Sequence, residues 1–257
     1  MSFPNVIYGK YGDEKVAQST AIGGLPYGQI LIHPRGYVFR HGRAGTAALL
    51  PGQVCVAGSI IPDHGCGTAD QLLANTAAIG STSIGVTAGG TTAIAANYYD
   101  GGELFVRDDT GEGHVYAINT NNSTATGSTA TISLEKTDGL VVALGASATV
   151  GLRRNPYREV ITRPTGSAQV GPTVGVPVLA VSAGFYTWLQ QRGIGPGLVA
   201  ATAIVIGQPV VASTATAGAL APIVASTTNT VNDLQVLGHV IAVSASTEYA
   251  LINWNIP

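Results

Sequence analysis

The sequence predicts an all-β fold, built as two β-sandwich or barrel (jelly-roll-like) domains with an extended N-terminal arm. Short segments of alternating or β-branched residues recur along the chain, and 34 glycines and 13 prolines bound them with turns. Only 10% of the residues are charged, against about a quarter in an average soluble domain. This composition favours a building block that buries much of its surface against copies of itself or against a larger assembly.

The arm is predicted over residues 1–35, where glycines and prolines interrupt every periodic pattern. Strands begin with Tyr37–Arg40 and continue with Gln53–Val56, which follows a Pro-Gly turn. Residues 63–77 favour a short helical turn. We assign residues 36–77 to the first part of a discontinuous β domain.

Residues 78–153 are predicted to form a small β domain inserted into the first. Segments Glu103–Arg107 and His114–Ile118 flank the Gly-rich loop Asp108–Gly113, a pattern typical of a hairpin. The other predicted strands of this domain are Ser83–Thr87, Thr129–Leu134, Leu140–Leu144 and Ala148–Leu152.

Residues 154–257 are predicted to complete the discontinuous domain. Four prolines between 156 and 177 exclude a helix there, and six β-like segments follow. We interpret Gly193–Gly197 as a tight turn between strands. The longest apolar run, Leu198–Ile206, is much shorter than the ~18 residues of a membrane span, so no membrane partner is expected.

Charge and cysteine content constrain the partners and the compartment. The formal net charge of −2 gives no global attraction to nucleic acid or to an anionic membrane. The first residues do not resemble a secretory signal, which favours synthesis in the cytoplasm and reduced thiols. Cys55 and Cys66 would otherwise be close enough in sequence to form a disulfide, and that alternative stays open.

No motif predicts a chemistry, so we expect no enzyme activity and nominate no catalytic residue, cofactor-binding residue or metal ligand. The Ser133–Lys136 string lies in an alternating strand, where its serine and lysine face opposite sides. Cys55, His64 and Cys66 do not have metal-site spacing. Asp108, Asp109 and Glu112 are explained by the turn that contains them, with a weak surface cation site as the alternative.

Arginine supplies most of the basic side chains and lies in two clusters that flank the predicted insertion. Arginine is favoured where charges are desolvated or make forked hydrogen bonds at interfaces. We therefore expect an interface with other chains, with a nucleic-acid patch as the less favoured alternative. The predicted interface residues are Arg35, Arg40, Arg43, Arg153, Arg154, Arg158 and Arg163.

Several turn-and-strand segments resemble structural proteins encoded by tailed bacteriophages, in particular the head decoration, or cement, class. The likeness covers residues 36–257. The segments that carry it are Ile79–Thr87, Ala95–Val106, Asp109–His114, Gly184–Gln190, Gly207–Val211, Gly238–Ile241 and Glu248–Ile252.

This resemblance implies a protein of the capsid surface that binds the major capsid protein and itself, commonly as a homotrimer. It would bridge neighbouring capsid subunits and stabilise the icosahedral head against internal DNA pressure. The class has no catalytic residues and no cofactor. The alternative is a receptor- or glycan-binding protein of the virion, associated with the tail or fibre. That function would require Tyr98, Tyr99, Trp188 or Trp254 to be exposed on a shallow polar groove.

Overall fold

A computed structural model describes residues 5–65, 72–87, 92–166, 170–223 and 235–257. These residues form strands and three short 3-10 turns, with no α-helix among them, so the prediction of an all-β chain is confirmed. The chain divides into two compact units: unit 1 comprises Met1–Gly58 and Pro156–Pro257, and unit 2 comprises Ser59–Asn155.

Unit 1 contains a 12-stranded sheet. Its path runs β1-β3-β4-β14-β18-β17-β15-β16; off this path, β2 and β13 pair with β14, β5 pairs with β13, and β12 pairs with β5. The strands of unit 1 are β1 (Val6–Tyr8), β2 (Ala17–Gln18), β3 (Ile30–His33), β4 (Tyr37–Arg43), β5 (Cys55–Val56), β12 (Ile161–Thr162), β13 (Thr173–Pro177), β14 (Tyr186–Leu198), β15 (Pro209–Ala212), β16 (Leu220–Pro222), β17 (Gly238–Ala242) and β18 (Tyr249–Asn255).

In unit 2, six strands pair in a closed ring in the order β10-β7-β6-β11-β8-β9. Alternate side chains point inward and form a single core of buried residues that includes Leu104, Tyr116 and Ile132. The strands of unit 2 are β6 (Leu72–Ala74), β7 (Ser83–Thr87), β8 (Glu103–Asp108), β9 (Val115–Asn121), β10 (Thr129–Leu134) and β11 (Thr149–Arg153).

The boundary between the units differs from the predicted domain boundary. Residues 59–77, which the sequence pattern assigned to the discontinuous domain, lie in unit 2. The reason is the pairing of β6 with both β7 and β11, which closes the ring. Part of the predicted helical turn in 63–77 is therefore a strand; Pro62–His64 is a 3-10 turn, and residues 66–71 lie outside the described residues.

The segment predicted as an extended arm lies on the sheet of unit 1 from residue 5 onward. Strand β1 pairs in parallel with β3, and β2 pairs with β14. Ile7, Ile22 and Leu25 pack against the buried side chains of Phe39 and Trp188. Burial of these apolar groups holds the segment on its own sheet. Its predicted contact with other chains stays a prediction.

The stretch predicted as a turn, Gly193–Gly197, lies in the C-terminal half of the long strand β14. All five of its residues pair with β18, from Trp254 to Ala250. A side chain at Gly197 would collide with Leu220 and Trp254, and Gly195 lies just as close to Trp254. These inward positions are glycine because the buried indole of Trp254 occupies the space that a side chain would need.

Candidate functional site

The outer face of strands β14, β17 and β18 carries a group of exposed apolar side chains, bordered by the exposed polar side chains of Arg192, His239 and Asn253. Alternation along β18 points Tyr249 and Leu251 outward, with 48% and 40% of their surfaces exposed. Their partners across the sheet on β14 are Leu198 and Pro196, and Ile194 lies one pair further along. We call this surface, together with its outward neighbours on β17, the apolar face.

Strand β17 extends the apolar face on the other side of β18. A β-bulge between Val240 and Ala242 leaves Ile241 pointing outward, 42% exposed. Val205 and Ile206 are 65% and 64% exposed. They lie beside β17, because the N–H of the next residue, Gly207, donates to the carbonyl of Val240.

Within its bounds the apolar face holds no acid, lysine or arginine, and Arg192 lies exposed at its edge on β14. Residues 193–198, 238–243 and 249–257 contain no aspartate, glutamate, lysine or arginine. Contiguous exposed apolar surface without charge is a mark of an interaction site. Because β18 already has a hydrogen-bonded neighbour on each side, a partner would contact this surface through side chains and not by adding a strand.

Three of the predicted interface arginines lie on aromatic rings in unit 1, and two of these rings stack on each other. The guanidinium of Arg43 lies 5.7 Å from the ring centre of Tyr186, and its Nε donates to the carbonyl of Gly184 at 2.9 Å. Arg158 lies over Tyr27 at 5.8 Å, and the Tyr27 and Tyr186 rings are stacked with their hydroxyls 3.2 Å apart. The structure therefore places these two arginines, distant in sequence, at either side of one aromatic stack.

The aromatic stack continues into the protein. His41 is fully buried, stacks on Tyr186 at 5.5 Å and contacts Trp188 edge-on. Burial lowers the pKa of His41, although its hydrogen bond to the Pro26 carbonyl acts in the opposite direction. Burial and the hydrogen bond to Tyr186 raise the pKa of Tyr27 to about 12, so its hydroxyl stays protonated at neutral pH.

Arg40 is half-buried on the opposite side of β4 from Arg43. Its guanidinium lies 5.9 Å from the ring centre of Tyr157, and it donates to Gln191 Oε1 at 3.2 Å and to the Gly28 carbonyl at 2.9 Å. Among the described residues, neither Arg40 nor Arg43 pairs with a carboxylate. An acidic group on another chain could therefore bind either one without displacing an ion pair.

The two remaining predicted interface arginines of unit 1 have contrasting environments. Arg35 is exposed in a 3-10 turn with a positive φ of 66°. Arg163 is 2% exposed, and its guanidinium donates to the carbonyls of Pro164, Ser213 and Gly166. Burial lowers the pKa of Arg163. Its position fits a structural role that holds two loops together, so we do not include it in an accessible contact surface.

In unit 2, Arg153 and Arg154 both have partners within the unit. Arg153 faces Glu103 across strands β11 and β8, with 3.8 Å between Nη1 and Oε2, and both side chains are about half exposed. Arg154 lies over the ring of Tyr98 at 4.6 Å and donates to the Ser59 carbonyl. An exposed ion pair such as the first contributes at most ~1 kcal/mol to stability.

The four aromatic residues required by the glycan-binding alternative do not form an exposed groove. Tyr99, Trp188 and Trp254 are 2%, 3% and 1% exposed. Tyr98 is half-buried under the guanidinium of Arg154. Three of the four rings are therefore buried, and one face of the fourth is covered by Arg154.

The residues weighed as metal ligands are engaged in other interactions. Cys55 is buried in unit 1, where burial raises the pKa of its thiol. In unit 2, His64 is held through Nδ1 by the Tyr99 hydroxyl and donates through Nε2 to the Thr92 carbonyl at 3.1 Å, which leaves no lone pair for a metal. Cys66 lies outside the described residues. The described part of the chain holds no cluster of three or more histidines, cysteines or acids placed to bind a metal ion.

Comparisons with known proteins give no assignment: no protein-family model matches the chain, and neither does a curated protein or a solved structure. Over the described residues, no helix is long and apolar enough to cross a membrane. Functional inference therefore depends on the surfaces themselves. The apolar face could not be found from sequence because it depends on the register between strands far apart in the chain.

Proposed function

We propose that this protein is a structural subunit of a phage virion, a decoration or cement protein that binds the outer surface of the icosahedral head. It acts in this proposal by bridging neighbouring major capsid subunits, and it has no enzymatic role. The observation that carries the proposal is the exposed apolar face, which is costly to leave in water on a monomeric protein.

The occupant that we propose for the apolar face is a second copy of this chain, within a homotrimer of jelly-roll-like subunits. A face without acids, lysines or arginines is suited to a position around a three-fold axis, where it meets the same face of two other copies and none of these ions has to be desolvated. In a symmetric oligomer every subunit makes the same contact, so the sequence has to encode this interface only once.

The capsid contact in this proposal is made by Arg40 and Arg43, which pair with no carboxylate among the described residues, and by the neighbouring Arg158. Guanidinium groups held against rings lose little further side-chain entropy when they bind, and they make forked hydrogen bonds with carboxylates. We therefore propose acidic side chains on the major capsid protein as their partners. Arg35 and the two arginines of unit 2, Arg153 and Arg154, are proposed as peripheral contacts.

The test of self-association replaces Leu251 at the centre of the apolar face. Wild type, Leu251→Glu and a matched control, Ile79→Glu, are compared by analytical ultracentrifugation. Ile79 is 69% exposed in unit 2, so the control adds the same charge at an apolar surface position outside the apolar face. Burial of an unpaired carboxylate costs several kcal/mol, so we expect Leu251→Glu to weaken association by at least about 100-fold.

The proposal predicts a trimer for wild type and Ile79→Glu, and monomers for Leu251→Glu. It also predicts that only the trimeric forms bind undecorated phage shells. A wild-type protein that is monomeric at every concentration and does not bind shells would contradict it. Equal association of Leu251→Glu and wild type would contradict the assignment of the apolar face as the interface.

A further inference from the structure

A cavity of about 270 Å³ lies in unit 1 between the turn at residues 11–15 and the sheet. Its polar and aromatic walls come from Tyr11, Glu14, Lys15, His33, Tyr37 and Gln190, and the rest of its lining is apolar. A pocket with apolar walls and a few convergent polar groups is the usual form of a small-molecule site.

The polar end of the cavity holds two buried titratable side chains with unused hydrogen-bonding capacity. Glu14 and His33 are 7% and 3% exposed. Glu14 Oε2 accepts from the N–H of Gly12 at 2.7 Å and lies 3.5 Å from His33 Nδ1. Neither ring nitrogen of His33 has a hydrogen bond among the described residues. Because buried polar groups are nearly always hydrogen-bonded, a histidine lining a cavity in this condition indicates a site for a polar ligand.

The aromatic side of the cavity is open to solvent. Tyr11 is 56% exposed, and its ring meets those of His33 and Tyr37 edge-on with 6.0 Å between centres. Its hydroxyl donates to the Pro34 carbonyl at 3.2 Å, which fixes the ring. A fixed and exposed ring at the mouth of a cavity can accept the C–H face of a ligand.

The charges around the cavity restrict the class of ligand. An anion would face the carboxylate of Glu14, and a cation would face the ammonium of Lys15. A neutral ligand with several hydroxyls avoids both conflicts, because each hydroxyl can donate to the carboxylate and accept from the ammonium or imidazole. The volume accommodates one ring and no long chain.

We propose that this cavity binds a neutral monosaccharide unit. Its C–H face lies on Tyr11, and its hydroxyls bind Glu14 and His33. The site is separate from the four aromatic residues that the sequence suggested for glycan binding, and it does not depend on the capsid function. Ile194 and Pro196 belong both to its lining and to the margin of the apolar face, so binding is also measured on the Leu251→Glu variant.

The test uses saturation-transfer NMR and calorimetry with glucose, galactose, mannose and N-acetylglucosamine. Glucosamine and glucuronic acid serve as cationic and anionic counterparts. We expect at least one neutral sugar to bind saturably. We expect each of its charged counterparts to bind at least about tenfold more weakly, which is a difference of ~1.4 kcal/mol in the free energy of binding. We expect the Leu251→Glu variant to bind the sugar as well as wild type or better.

Variants assign the binding to the cavity. Tyr11→Ala and Glu14→Gln should each weaken it by at least about tenfold, while Tyr11→Phe should retain it because the ring remains. Tyr8→Ala, which removes a ring that is 81% exposed and outside the cavity, should leave binding unchanged. The inference is overturned if no neutral sugar binds saturably at sugar concentrations up to about 100 mM. Such concentrations would reveal binding far weaker than millimolar affinity. It is also overturned if Tyr11→Ala and Glu14→Gln bind like wild type.

Discussion

Asn121 is a buried hydrogen-bonding centre of unit 2, and its replacement by alanine should destabilise that unit strongly. The side chain is 2% exposed. Its Nδ2 donates to the carbonyls of Ala95 and Asn122 at 2.8 and 2.7 Å, and its Oδ1 accepts from the N–H of Tyr99 at 2.9 Å. The side chain therefore ties strand β9 to the loop that carries the buried ring of Tyr99.

The cost of Asn121→Ala follows from these three bonds. Each net hydrogen bond contributes about 1 kcal/mol, and a buried donor left without a partner costs about 1–3 kcal/mol. We expect a loss of about 3 kcal/mol in the free energy of unfolding. For a unit of about 100 residues, this corresponds to a fall in Tm of about 12–24 °C.

The neighbouring residue supplies a matched control. Asn122 is exposed, and its Oδ1 accepts one hydrogen bond, from the N–H of Thr131. Asn122→Ala should therefore cost less than about 1 kcal/mol. Amide hydrogen exchange in residues 95–121 measures the effect in unit 2, and tryptophan fluorescence reports on unit 1, where both tryptophans lie. Equal loss of stability in the two variants would refute the assignment of Asn121 as a buried centre.

Three further predictions concern stability. Burial lowers the pKa values of His41 and His64, so the unfolded state binds protons first as the pH falls. The free energy of unfolding should therefore be constant above about pH 6.5 and decrease below it, as measured by urea unfolding from pH 8 to 5. Gly238→Ala should cost about 3 kcal/mol, because a Cβ there would collide with the Asn253 carbonyl, and a variant as stable as wild type in the same assay would contradict that packing. Arg153→Ala should change the unfolding free energy by less than about 1 kcal/mol, since its ion pair is exposed; a loss above 2 kcal/mol would show a larger role.

Local patterns in the sequence predict many of the strands. Ser83–Thr87 and Thr129–Leu134 have the predicted bounds, because inward and outward residues alternate in both. The predicted hairpin around Asp108–Gly113 is present as well, with β8 and β9 paired. These features depend on neighbouring residues alone, so a single sequence is sufficient to find them.

Other features depend on contacts that the sequence does not express locally. Leu140–Leu144 has a strand-like pattern, but its leucines are buried in the core of unit 2 and only Leu144 forms a bridge, with Ala77. The glycines of β14 resemble a turn until Trp254 is placed beside them. In each case a residue distant in sequence determines the local conformation.

For the candidate sites as well, some features could be predicted from the sequence and others depend on contacts between distant residues. Composition predicted arginines at interfaces, but it did not separate the half-buried Arg40 and Arg43 from Arg163, which the fold buries. The apolar face arises from pairing between residues about fifty positions apart, and the cavity at Glu14 and His33 forms only because the N-terminal segment lies on the sheet. No local pattern in residues 1–35 predicted that arrangement.

The most direct test of the proposed function is the mass of the purified protein in solution, alone and mixed with undecorated phage shells. Sedimentation measures both the oligomeric state and the number of copies bound to each shell. The proposal predicts a trimer that co-sediments with shells at fixed stoichiometry. A monomer that remains in the supernatant, whatever the concentration of shells, would contradict it.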